Sequence, residues 1–121
     1  MVQRILFEEI LNSCFKGKVI LLIGPRQVGK TTLLKKIQTE IDAPSIWINI
    51  DEADIKKSLT EADTSTKLRH LVGVNTKVVF IDEAQQIIDI GLKLKLMIDA
   101  FPEIQFIVTG SSSLDLRNSM A

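Results

Sequence analysis

Four short apolar runs, at residues 18–23, 45–50, 78–81 and 104–108, punctuate the chain. None alternates apolar with polar positions, as a strand with one wet face does. Each is therefore predicted to be a strand buried on both faces, the pattern of a parallel sheet. The stretches between them carry a helical period instead. Phe7, Ile10, Leu11 and Cys14 fall at i, i+3, i+4 and i+7, which predicts a helix over 2–15 with Gly17 placed to end it. Leu33, Leu34, Ile37 and Ile41 predict a helix over 31–41, and Pro44 marks the loop before the next strand. Ile55, Leu59, Leu68, Leu71 and Val72 predict two short helices broken around 64–66, with Asp51 as N-cap of the first. Leu94, Met97, Ile98 and Phe101 follow helical spacing although the Leu-Lys-Leu-Lys-Leu run at 92–96 also alternates like a strand, and the helix is preferred. Apolar strands separated by helices give βαβ crossovers. The expected class is α/β, a three-layer sandwich with a mostly parallel sheet covered on both faces.

Composition narrows this picture without changing it. The 121 residues, 45% hydrophobic and 25% charged, suit one globular domain over 1–121. Fifteen basic and fifteen acidic side chains cancel, so no global field draws the chain to nucleic acid, and such contact would need a local basic patch. No apolar stretch of about 20 residues argues for a membrane span. Cys14 is the one cysteine and cannot form an internal disulfide; the expected compartment is the cytoplasm. His70 has no second histidine to ligate a metal with, and Trp47 reads as packing within a strand.

The candidate chemistry begins where the first strand ends. Gly24, Pro25, Arg26, Gln27, Val28, Gly29, Lys30 and Thr31 satisfy G-x-x-x-x-G-K-[ST] between a predicted strand and a predicted helix. Glycines allow backbone N–H groups to converge on phosphate oxygens, with the positive end of the following helix behind them. Lys30 is expected on the outer phosphates, Thr31 on Mg²⁺ through its hydroxyl, and Thr32 near the inner phosphates. The third strand closes with Asp82 and Glu83 at the same sheet edge, beyond the carboxyl ends of the strands, where open α/β sheets bind ligands. Asp82 is expected to hold Mg²⁺ and Glu83 to orient or deprotonate the attacking water. Thr109 and Ser111, at the end of the fourth strand, are candidates to contact that water or the terminal phosphate; a Gly-Ser cluster there also reads as a plain turn.

GPRQVGKTTLL, VVFIDEAQ and TGSSS, in that order, resemble the N-terminal ATPase domain of a prokaryotic, largely uncharacterised group of AAA-superfamily P-loop ATPases. The resemblance spans nearly the whole chain. It implies a sheet ordered 5-1-4-3-2, Walker A roles for Gly24, Gly29, Lys30 and Thr31, Walker B roles for Asp82 and Glu83, and a sensor role near Ser111. It also implies ATP as the nucleotide, a C-terminal domain of unknown function or other protein partner, and room for a homo-oligomer in which a neighbour donates an arginine. Twelve residues follow Thr109, too few for a further crossover and strand, so a truncated chain lacking the fifth strand is expected. Arg117 carries no mark of a catalytic arginine.

Other classes compete. A DExx-box helicase fragment shares the Asp82–Gln85 layout, but such loops usually carry a further glycine where Gln27 stands. A small-molecule kinase fits less well, because adjacent carboxylates suit water activation. A nucleotide-gated interaction module that binds ATP with little hydrolysis stays open. GTP is disfavoured, since Asn75-Thr76-Lys77-Val78 does not supply an Asn-Lys-x-Asp stretch.

Overall fold

The computed structural model describes residues 2–23 and 28–111. Helix α1 (Val2–Ser13) leads into strand β1 (Ile20–Ile23), helix α2 (Val28–Glu40) and strand β2 (Ser45–Ile48). Helices α3 (Ala53–Glu61) and α4 (Ser65–Val72) precede strand β3 (Val78–Ile81), and helix α5 (Ile90–Ala100) precedes strand β4 (Gln105–Gly110). Among the described residues the three strand pairings are parallel and the order is β1-β4-β3-β2. That order is the 1-4-3-2 portion of the expected 5-1-4-3-2. The fifth position and Arg117 lie outside the described residues.

The period-2 geometry of a strand explains why apolar runs without alternation were needed. Val78, Phe80 and Ile107 point to one face and join Ile10, Leu33, Leu34 and Ile37 from α1 and α2. Val79, Ile81, Phe106 and Val108 point to the other and join Leu59, Leu68, Leu94 and Met97 from α3, α4 and α5. Both faces must be apolar because both are roofed by helices. Trp47 stacks on Phe80 with ring centroids 5.6 Å apart, as expected of a packing residue.

Two local expectations are corrected. Helix α3 starts at Ala53, so its N-cap is Glu52 and not Asp51, whose backbone N–H instead donates to Asn49 Oδ1 at 3.1 Å. The helix expected over 31–41 starts three residues earlier, at Val28, which takes Gly29, Lys30 and Thr31 into its first turn. The break between α3 and α4 falls at residues 62–64, where Thr64 caps α4 by accepting from Lys67 N at 3.2 Å.

Candidate functional site at the strand ends

Register sets the site. Ile23 pairs with Gly110, and Ile81 with Val108, so the carboxyl ends of β1, β4 and β3 open on one edge. Asp82 follows Ile81 and therefore reaches Thr109 of the neighbouring strand. The Thr109 hydroxyl donates to Asp82 Oδ1 and accepts from Glu83 N at 3.0 Å. The Thr109 residue is fully buried, which suits a hydroxyl whose donor and acceptor capacities are both used.

The first turn of α2 closes the gap from the other side. Thr31 Oγ1 donates to Asp82 Oδ2 at 2.7 Å, and Lys30 Nζ donates to the Gly110 carbonyl at 3.2 Å. Two residues 51 positions apart in sequence thus present hard oxygens within contact of each other. A hydroxyl and a carboxylate are the donor types that Mg²⁺ takes, with waters and substrate phosphates usually completing its octahedron. Among the described residues no group of three or more His, Cys, Asp or Glu side chains forms an all-protein metal cage. The hydroxyl of Thr31 and the carboxylate of Asp82 are a donor pair that fits a hard divalent cation.

Glu83 is 9% exposed and adopts φ 57, ψ 46, the left-handed region that a non-glycine residue enters at a cost of about 1 kcal/mol. Such outliers gather at sites where surrounding bonds over-determine the backbone, and here the Thr109 hydroxyl holds the Glu83 N–H. Its carboxylate accepts from Gln85 Nε2 at 2.8 Å, and Gln85 Oε1 accepts in turn from Ser111 N at 3.0 Å.

The structure thus brings Lys30, Thr31, Asp82, Glu83, Thr109 and Ser111 to one edge. Ser111 joins through its backbone N–H, while the Thr109 hydroxyl sits between the two carboxylates' residues. Gly29 lies in the first turn of α2 and Thr32 is exposed on the same turn. Gly24, Pro25, Arg26 and Gln27 lie outside the described residues, as does the side chain of Val28. Sequence reasoning missed Gln85. Its signal was weak: a glutamine two residues past an acid is legible as a bridge only once β4 is known to lie alongside.

The comparisons agree with this architecture. The AAA domain family matches residues 16–121. An uncharacterized protein of Mycobacterium bovis and one of Mycobacterium tuberculosis are each 35% identical over 109 residues, covering 89% of this chain and 23% of their own length. The chain therefore spans about a quarter of the curated relatives it matches. An ABC transporter of Toxoplasma gondii is 35% identical over 55 residues, 46% of this chain and 5% of its own length. A parallel sheet of this order, a lysine and threonine on the helix that follows its first strand, and a match over nearly the full length all point the same way: the chain belongs to the AAA domain family, as a P-loop ATPase-like, nucleotide-binding domain.

Proposed function

We propose that residues 1–121 form one ATPase domain that binds Mg-ATP at residues 24–32 and hydrolyses its β–γ phosphoanhydride. The observation that carries this reading is the 2.7 Å bond between Thr31 on α2 and Asp82 beyond β3. It brings two sequence motifs to one point, each of which alone would be an ordinary turn or cap.

The backbone N–H groups of Gly24, Arg26, Gln27, Val28 and Gly29 cradle the phosphates in this reading, with Pro25, which has no N–H, shaping the turn between them and the start of α2 adding its partial positive charge. Lys30 turns from Gly110 to the outer phosphates, and Thr32 stays near the inner ones. Thr31 and Asp82 would hold Mg²⁺, which when bound would offset the negative charge that develops on the phosphate. Glu83 accepts a hydrogen bond from the attacking water and orients its oxygen toward the γ-phosphorus, while Thr109 and Ser111 fix the strand end beside it. We assign the coupled step to a protein partner or a further domain, in keeping with relatives of which the matched segment is 23%.

Two variants test the assignment. Lys30→Ala removes a charged donor to phosphate and is expected to weaken ATP binding about 10- to 100-fold. Glu83→Gln is expected to leave binding intact and slow turnover about 10²- to 10⁴-fold. Wild-type turnover in Glu83→Gln would sink the assigned base, and slow turnover in the wild type itself would favour a nucleotide-gated interaction module.

A further inference from the structure

Gln85 has no part in the roles above, yet both ends of its amide are bonded at the edge. It lies in the 3₁₀ turn Ala84–Gln86, half-buried, with its amide nitrogen on Glu83 and its amide oxygen on Ser111. The orientation of that amide is dictated by its partners. A backbone N–H can only donate and a carboxylate can only accept, so a flipped amide would set donor against donor and acceptor against acceptor. Two bonds of Glu83 therefore lead to β4: one from its backbone N–H to Thr109, one to its carboxylate from Gln85, which is held in turn by Ser111.

The bond to Ser111 has a further property. Ser111 N and Gly110 O belong to the same peptide group, and Gly110 O is the acceptor for Lys30 Nζ. One peptide plane thus carries the candidate phosphate-binding lysine on its carbonyl edge and the partner of Glu83 on its amide edge. A cation on the carbonyl polarises the peptide and strengthens the bond that its N–H donates. When Lys30 turns to a phosphate, that polarisation is withdrawn and the hold on Gln85 slackens.

We propose that Gln85 is a positioning residue that sets the direction of the Glu83 carboxylate and couples it, through the Gly110–Ser111 peptide, to the position of Lys30. The proposal rests on the reading of Glu83 as the group that orients water. It assigns Gln85 no contact with nucleotide, so its loss acts on turnover and not on affinity.

The test separates the two ends of the amide in the 121-residue chain. Gln85→Glu keeps an oxygen for Ser111 N–H but cannot donate to Glu83, whereas Gln85→Ala removes both bonds. In the nucleotide-free protein, hydrogen exchange at the Ser111 amide is expected to speed about 10-fold in Gln85→Ala, about 1.5-fold in Lys30→Ala, which removes only the polarisation, and to stay near wild type in Gln85→Glu. Mg-ATP turnover is expected to fall about 10-fold or more in both Gln85 variants, with the KM for ATP within about twofold of wild type. A purely structural glutamine would let Gln85→Glu, with Ser111 still held, turn over normally. That result, or a wild-type Ser111 amide exchanging as fast as in Gln85→Ala, overturns the proposal. Glu83→Gln at wild-type rate would instead remove the reading beneath it while leaving the Ser111 exchange pattern in place, so the two failures are distinguishable.

Discussion

Thr109 shows how much one side chain decides at this edge. It is fully buried, and its hydroxyl serves the Asp82 carboxylate and the Glu83 N–H together. Thr109→Val preserves shape but strands a buried donor, which costs about 1–3 kcal/mol. Urea unfolding is expected to show that loss, and Mg-ATP turnover to fall with it because Glu83 loses its backbone anchor. A valine variant with wild-type stability and turnover would show that neither bond matters. Cys14 illustrates the opposite case, a reactive group made quiet. Its thiol donates to Ile10 O at 3.2 Å, and burial pushes its pKa up, so the protonated form persists to higher pH than in a free thiol. Alkylation followed by mass spectrometry is expected to be slow at neutral pH and to accelerate only above the ordinary thiol range of about 8.5. Lys30, Thr31, Asp82 and Glu83 were legible in the sequence because spacing and strand context constrain them. Gln85 was not, because nothing in a linear string says where the two ends of an amide will land.

At the level of elements, α5 is the instructive case. Its Leu-Lys-Leu-Lys-Leu segment offers strand alternation, and the helix wins with an inversion of the usual pattern: Leu92 is 58% exposed and Lys93 only 7%. Lys93 is drawn inward because Nζ donates to Thr60 O at 3.0 Å and Ala62 O at 2.9 Å, carbonyls at the carboxyl end of α3. Those groups have no helical partner, and the helix dipole there favours a cation. Lys93→Met fills the same space without the charge and leaves two carbonyls unpaired. It is expected to lower stability by about 1–3 kcal/mol, read as a drop in urea midpoint with unchanged slope. An unchanged midpoint would show that water serves those carbonyls as well. The sequence located the helix through Leu94, Met97, Ile98 and Phe101, but the inward lysine depends on where α3 ends, a tertiary fact. The N-cap of α3 slipped from Asp51 to Glu52 for a related reason: helix starts are set by hydrogen bonds that composition leaves undetermined within a residue or two.

For the whole molecule, strand order does the organising. Placing β4 between β1 and β3 brings residues near position 30, position 82 and position 110 to one edge, although they are widely spread along the chain. The class and the parallel sheet were legible because apolar runs without alternation leave few other arrangements, whereas the 1-4-3-2 order came only from the resemblance of three ordered motifs to one family. The site's internal wiring was not legible. The same architecture is what a nucleotide would read: a helix start, a lysine ammonium and two hard oxygens on one edge. Calorimetric titration of Mg-ATP, with Mg-GTP alongside, into the 121-residue chain and its Lys30→Ala variant tests that claim most directly. The account predicts saturable ATP binding by the wild type, weaker GTP binding, and affinity lowered about 10- to 100-fold in the variant. No saturable binding by the folded wild-type chain, or equal affinity in the variant, would contradict it.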